Sequence, residues 1–198
     1  MNYAELVQSI VDITDRDELV PQIQYAIAKA TLKLHSADLW NRDIIEKAIT
    51  LDTSLAPRYE IYVQDSLPRF RKIAYINGYD PTTATVTCEL SENSPVSIGD
   101  SYGRLKDRVY YLAGDVITLR SRYPALTAVQ VGHWALPPVD AENFRSWIAE
   151  IAPYAIIDEA CVEIFGSVGD DEEAARRKKL FEENVRLIRI SDIEAAGR

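Results

Sequence analysis

In this 198-residue chain, the side chains best suited to acid–base chemistry are three carboxylates in one apolar segment. Asp158, Glu159 and Glu163 lie in the run YAIIDEACVEIF, where a buried carboxyl with a raised pKa would act as a general acid. Adjacent helix positions point about 100° apart, so Asp158 and Glu159 would not share a site. A hydrolase using Asp158, Glu163 and His133 therefore needs a cleft that only the fold can form.

Other residues for catalysis, metal binding or cofactor binding are sparse. The two histidines, His35 and His133, are far apart in the chain and lack zinc-ligand spacing, so each is interpreted as a core or surface residue. Cys88 and Cys161 have no partner-like spacing and are interpreted as buried free thiols. No Gly-x-Ser-x-Gly motif occurs, and the glycines at 99–103 lack the lysine of a phosphate loop. We expect a non-enzymatic protein without metal or cofactor.

The charge pattern argues against nucleic-acid binding. The chain carries a net charge of −9, which on average repels a polyanion. The basic run at 176–179 follows four acids, and Glu172 and Glu173 stand four residues before Arg176 and Arg177, the favourable order for helical ion pairs. A salt-bridged helix face is therefore expected, while DNA contact through this run stays an alternative that predicts salt-sensitive DNA retention.

No apolar run reaches the roughly 20 residues that span a bilayer, and the N-terminus does not read as a secretory signal, so synthesis in the cytoplasm is expected.

Helices are predicted at the N-terminal end of the chain. Helical spacing covers Tyr3 to Ile13, and a longer helix follows with Pro21 in its first turn and cap residues at 14–17. A third short helix is predicted around residues 42–50. The apolar stripe of the second helix should face a partner helix, and it consists of Leu19, Ile23, Ala26, Ile27, Ala30, Leu34 and Ala37.

The middle of the chain has the composition of strands and loops. Tight hairpins are predicted at Asn77-Gly78 and at Ala113-Gly114-Asp115. Residues 91–106 are predicted to form a long exposed loop. The predicted strands are Arg58–Gln64, Phe70–Ile76, Thr83–Leu90, Arg108–Leu112, Val116–Arg120 and Thr127–Trp134.

Helices return after Asp140, a predicted N-cap, and a second one restarts at Pro153. Tyr154 to Phe165 is predicted to be the central core helix, ended by the motif Gly166-Ser167-Val168-Gly169. Asp170 and Glu173 then form a capping box for the last helix, on which Ala174, Phe181, Val185 and Ile188 line one face. The apolar tail 187–190 suggests a docking surface.

These elements predict an α+β protein. The N- and C-terminal helices would form a helical bundle that carries a β-rich insertion of hairpins and long loops. The predicted divisions are 1–50 for the first helices, 51–138 for the insertion and 139–198 for the last helices.

The order of these segments resembles the head-to-tail adaptor family of tailed, short-tailed bacteriophages. The resemblance lies in the opening MNYAELV helix, the helix ending ADLW, and the runs GDVITLR and VQVGHWALP, which look like the family's closing β ribbon. The section from Pro153 through Ile190 is similar to the family's last helices. The resemblance covers nearly the whole chain in order and has no invariant signature.

The resemblance implies a virion protein of the neck, made in the host cytoplasm, that forms a ring of commonly twelve copies between portal and tail nozzle. DNA would only pass through its channel, which acidic walls would keep from sticking. It implies no catalytic residues. It implies portal docking by the terminal helix and tail-facing contacts by the long loops, with Ser97, Tyr102 and Arg104 as candidates. The candidate docking residues are Phe181, Val185, Arg186, Ile188, Arg189 and Ile190.

Two alternatives stay open beside this one and the DNA binder. The first is a tail-completion or neck protein lower on the same axis. The second, from a different class, is the hydrolase using Asp158 and Glu163.

Overall fold

The computed structural model describes residues 1–94, 106–122 and 124–196. The chain divides into two compact units: a helical unit, Met1–Asp43 with Leu136–Arg198, and a sheet unit, Ile44–Ala135. The protein is α+β, as predicted. The sheet unit begins at Ile44 and ends at Ala135, whereas the sequence predicted boundaries at residues 51 and 138. The described α-helices are α1 Tyr3–Thr14, α2 Val20–Ser36, α3 Val63–Ser66, α4 Trp147–Ile151, α5 Pro153–Val168 and α6 Asp171–Ala196.

The first two helices begin and end at residues with clear local causes. Asn2 Oδ1 accepts from the Glu5 N–H at 2.9 Å and the Asn2 N–H donates to Glu5 Oε2 at 2.9 Å, which forms a capping box for α1. Asp15 adopts a left-handed φ of 51° and ends α1. The residues at 14–17 therefore do not cap α2, which follows a 3₁₀ turn at Asp17–Leu19 and has Pro21 in its first turn.

The first of the C-terminal helices begins later than predicted. Asp140 Oδ1 accepts from the Asn143 N–H at 2.9 Å, as an N-cap does, but the residues after Asp140 form only a turn. Ser146 caps α4 instead, its Oγ accepting from the Ala149 N–H at 3.3 Å. The break at Pro153 is confirmed, and Gly169 ends α5 with a φ of 81°. The Glu173 N–H donates to Asp170 Oδ1 at 3.1 Å, which is one of the two bonds of the predicted capping box.

Helix α5 lies at the centre of the helical unit, as predicted from its apolar character. It contacts α1, α2, α4 and α6, and eight of its residues are buried. The stripe on α2 also faces this core, except that Ala37 is exposed. Each large side chain buried here contributes about 1.5–3 kcal/mol. The core is built from Leu6, Ile10, Ile23, Ile27, Leu34, Trp40, Ile148, Ile156, Ile157, Ile164 and Ile188 with smaller residues between them.

The described residues of the sheet unit form seven strands in the order β1-β7-β3-β4-β5-β6-β2. All described pairs are antiparallel except β4 with β5, which is parallel. Its core is separate from that of the helical unit and includes Tyr59, Ile76, Ile117, Leu119, Val129 and Val131. The six predicted strands all occur. The strands are β1 Ile44–Thr50, β2 Arg58–Tyr62, β3 Phe70–Asp80, β4 Thr85–Glu92, β5 Val109–Ala113, β6 Val116–Arg120 and β7 Ala128–Ala135.

The predicted helix at 42–50 is wrong. Asn41–Asp43 form one 3₁₀ turn, and the residues from Ile44 to Thr50 form β1, which pairs with β7 along its whole length. Most side chains of β1 are exposed, so the strand lacks the apolar–polar alternation that identifies a half-buried strand. Pairing with a distant strand overrides the weak local preference.

One of the two predicted hairpin turns is present. Gly114 and Asp115 join β5 to β6, and Gly114 has the positive φ of 60° that a tight hairpin needs. Asn77-Gly78 is not a turn; it lies within β3, which turns only after Asp80. Gly78 is needed for space instead, because a Cβ there would lie 2.7 Å from Cys88 Sγ.

A matched pair of glycine substitutions tests the close packing of the sheet unit. A Cβ at Gly132 would lie 2.5 Å from the ring of Tyr75, its neighbour across β3 and β7, whereas a Cβ at Gly166 in α5 would meet nothing within 4 Å. We expect Gly132→Ala to lower the free energy of unfolding by about 1–3 kcal/mol through overpacking. Gly166→Ala should raise it by about 0.5–1 kcal/mol. Urea unfolding measures both, and equal effects of the two changes would contradict the packing described here.

Candidate functional site

Asp158, the first predicted acid, is a buried ion-pair residue. Its side chain points from α5 to α6, where Arg177 Nη1 donates to Oδ1 at 2.9 Å and Asn184 Nδ2 donates to Oδ2 at 3.0 Å. Arg177 also donates through Nε to Glu173 Oε1 at 3.1 Å. Only 3% of Asp158 is exposed. Both of its oxygens are therefore engaged in fastening α6 to α5.

The other two acids of the segment lie on a different side of α5. Glu163 Oε1 accepts from Lys29 Nζ at 3.0 Å, and Glu159 is paired with Lys33, both lysines belonging to α2. Asp158 thus faces α6 while Glu163 faces α2, and the two carboxylates do not share a cleft. The hydrolase hypothesis required that convergence, so the geometry of these two residues counts against it.

His133, the third residue of that hypothesis, is buried within β7 of the sheet unit. Its ring stacks on Phe70 with centroids 6.0 Å apart, and Nε2 lies 3.4 Å from the Pro68 carbonyl oxygen. Burial lowers the pKa of His133 below its ordinary value. The residue is a neutral core histidine.

Both cysteines are free, as predicted, and they differ in burial. Cys161 is fully buried in α5, where burial raises its pKa to about 12, and Cys88 in β4 is half-buried. A thiol with so high a pKa is not a nucleophile at neutral pH.

A buried polar cluster that the sequence did not predict lies in the helical unit. His35 Nδ1 is 2.8 Å from Asp43 Oδ1, and His35 Nε2 is 2.9 Å from Ser146 Oγ. Trp147 Nε1 donates to the same Asp43 oxygen at 2.7 Å. We call Ser146, His35, Asp43 and Trp147 the polar cluster. It joins α2, the turn at Asn41–Asp43 and the start of α4.

The polar cluster has the order of groups found in serine hydrolases: hydroxyl, imidazole and carboxylate. With Asp43 accepting from Nδ1–H, Nε2 becomes the acceptor for the Ser146 hydroxyl proton. Ser146 is only 5% exposed, however, and its oxygen already accepts from the Ala149 N–H at 3.3 Å. Because Ser146 is nearly buried and its oxygen is engaged on both sides, we interpret the cluster as a hydrogen-bonded brace.

Reasoning from the sequence missed this cluster because Ser146 lies 111 residues from His35. His35 and Asp43 are eight residues apart and match none of the motifs sought in the sequence. The one available signal was a histidine directly after Leu34 of the apolar α2 stripe, where a buried ring nitrogen needs a partner.

The terminal helix divides the predicted docking residues between two faces. Ile188 is buried, and Phe181 and Val185 pack partly buried against the core of the helical unit. These three side chains are occupied by the chain itself, which corrects their assignment to a docking surface. Arg186, Arg189 and Ile190 lie on the exposed side.

The exposed side of α6 carries an apolar row. Leu187 is 63% exposed, Ile190 49% and Ile193 71%. Arg186 is exposed beside them, and Arg189 Nε pairs with Asp38 Oδ2 at 3.6 Å with both side chains about half exposed. We call Leu187, Ile190 and Ile193 with these two arginines the terminal stripe.

The basic run of α6 is largely an ion-pair network, as predicted. Glu173 accepts from Arg176 at 2.8 Å and from Arg177 at 3.1 Å, so Glu173 rather than Glu172 is the partner of Arg176. Lys178 and Lys179 are exposed. The pairing of both arginines reduces the positive charge that this face could offer to phosphates.

The predicted tail-facing residues Ser97, Tyr102 and Arg104 lie outside the described residues. Within the described ranges, no three His, Cys, Asp or Glu side chains come together to hold a metal ion. No helix of the described chain has the length and apolar character to cross a membrane.

The chain has no match among protein-family models and none among curated proteins.

Proposed function

We propose that this protein is a structural subunit that assembles, with other copies of itself, into a ring adaptor between the portal of a phage head and its tail. The observation that carries the proposal is the terminal stripe. Three large aliphatic side chains in a row on the outside of a helix whose other face is buried are typical of an interaction surface. These exposed side chains lower the solubility of the chain unless a partner covers them.

The charge supports the same function. A ring of subunits, each with a net charge of −9, would surround its channel with negative charge. DNA leaving the head would then slide through the channel without adhering to its wall. In the proposal, the helices act as a bundle that forms the body of the ring, and the loops of the sheet unit contact the tail.

The distribution of the reactive side chains is consistent with a structural role. Asp158 is fastened to Arg177 and Asn184, and Glu163 to Lys29. His35 and Ser146 are held together inside the polar cluster. Each of these groups is engaged in holding helices together.

Native mass spectrometry of the purified chain, alone and mixed with the portal protein of the same phage, tests the proposal. We expect a complex in which many copies of this chain bind one portal ring. Electron microscopy of virions with a tag on the chain then distinguishes an adaptor at the portal from a neck protein farther along the axis. A chain that never associates with portal, in any ratio, would remove the adaptor function.

A further inference from the structure

We infer that the terminal stripe of one copy docks into a groove at the α5–α6 junction of the next copy. The inference rests on the proposed assembly of copies and goes beyond it, because it names the two surfaces that meet. The groove has a volume of about 430 Å³. We call it the junction groove, and the residues used below are Arg16, Ile164, Phe165, Val168, Asp170, Asp171 and Glu172.

The junction groove has apolar side chains at its base, and its rim carries three acids together with Arg16, which pairs with Glu18 at 3.3 Å. Ile164 and Phe165 are buried at its base, and Val168 is 43% exposed. Asp170, Asp171 and Glu172 follow directly at the start of α6 and are exposed. The apolar surface extends beyond the groove, because a second groove of about 410 Å³ shares Ile164 and adds Tyr25, which is 66% exposed.

The terminal stripe has the complementary chemistry. Its aliphatic row matches the exposed parts of Val168 and Tyr25, and Arg186 and Arg189 flank that row, Arg189 being paired with Asp38 of its own copy. Among the described carboxylates, none forms an ion pair with Arg186. Negative charge that faces this arginine would favour a contact covering the row, and the acids of another copy's junction groove supply it.

The two surfaces cannot meet within one copy. The groove lies where α6 begins and the stripe where α6 ends, and the helical rise of 1.5 Å per residue separates Asp171 from Ile190 by roughly 28 Å. The contact is therefore head-to-tail between copies. Such heterologous contacts close into a ring when the rotation per subunit allows it, and they otherwise form filaments.

Disulfide trapping tests the contact directly. The double variant Val168→Cys with Ile190→Cys should form, under mild oxidation, a ladder of covalent multimers on a non-reducing gel. An intramolecular disulfide is excluded because the two positions are too far apart in one copy. All variants carry Cys88→Ser, so that the half-buried native thiol does not link copies, and Cys161 is buried. The controls are this background alone, which should stay monomeric, and the background with either Val168→Cys or Ile190→Cys, which should form nothing larger than dimers.

Charge exchange provides the second test, measured by sedimentation velocity. Arg186→Glu and Asp171→Arg should each weaken self-association by at least about tenfold through like-charge repulsion, and the double variant should restore most of it. Lys178→Glu is the matched control, an exposed base on the same helix outside the stripe, and should leave self-association unchanged.

The outcomes separate this contact from the proposed function. A cysteine ladder and a restored double charge variant support the contact. Absence of a ladder, or a double charge variant as weak as its parents, overturns it, even where copies still assemble on portal. If the contact is overturned but the wild type still assembles on portal, the adaptor function is retained and its copies meet through a different interface.

Discussion

Replacing Asp158 by alanine is expected to lower the free energy of unfolding by about 3–5 kcal/mol. The substitution leaves Arg177 without its buried partner, and the Arg177 side chain is only 14% exposed. It also removes the acceptor for Asn184. Arg177 keeps only its bond to Glu173, which is costly for a buried guanidinium, and α6 would loosen from α5. Urea unfolding followed by far-ultraviolet circular dichroism measures the change.

Glu163→Ala is the matched control for this prediction. Glu163 lies five residues later on the same helix and also pairs with a basic residue, but Lys29 is more than half exposed. An exposed pair is worth about 0–1 kcal/mol. The double variant Asp158→Ala with Arg177→Met should recover part of the loss, because it also removes the buried charge that has lost its Asp158 partner. Equal losses for Asp158→Ala and Glu163→Ala would show that burial does not govern these pairs.

Replacing His35 by alanine is expected to cost about 3 kcal/mol of unfolding free energy. The change opens a cavity in a site that is 1% exposed, and it leaves Asp43 and the Ser146 hydroxyl short of a hydrogen-bond partner. Ser146→Ala should cost less, about 1–2 kcal/mol, since it removes one helix cap and one hydrogen bond. Thermal and urea unfolding of the two variants measure the difference.

A labelling experiment on the polar cluster distinguishes a structural role from a catalytic one. Because Ser146 Oγ is buried and engaged on both sides, a serine-reactive fluorophosphonate should not label the native protein. Labelling at Ser146 in the folded chain, lost in Ser146→Ala and in His35→Ala, would identify the cluster as an active site. That result would contradict the interpretation of the cluster as a hydrogen-bonded brace.

Much of the local structure was predictable because its causes are local. The periodic apolar residues of α1, α2 and α5 identify helices whatever they pack against. Pro153 and Gly169 limit α5 through backbone geometry alone. Gly114 marks a hairpin because of its positive φ. The six strands found in sequence are those with side chains buried on at least one face.

The wrong predictions concern local structure that depends on contacts with residues distant in sequence. Strand β1 exists because β7 lies beside it, and nothing in Ile44–Thr50 itself excludes a helix. Asn77-Gly78 has the residues of a turn, but the space needed next to Cys88 places that glycine inside β3. Asp140 and Ser146 are both good helix caps, and only the position of His35 next to Ser146 shows which one the chain uses.

The candidate functional residues also divide into features that one segment determines and features that packing determines. The sequence by itself determined that Asp158 lies in the core helix, that the basic run of α6 is accompanied by acids, and that the end of α6 is apolar, because composition and helical spacing are properties of one segment. The tertiary structure decided which partner each side chain has. It turned Asp158 toward Arg177, joined His35 to Ser146, buried Ile188 and left Leu187 and Ile190 outside. Those outcomes depend on pairs of residues that are close in space and distant in sequence, and only the packing of one helix on another brings them together.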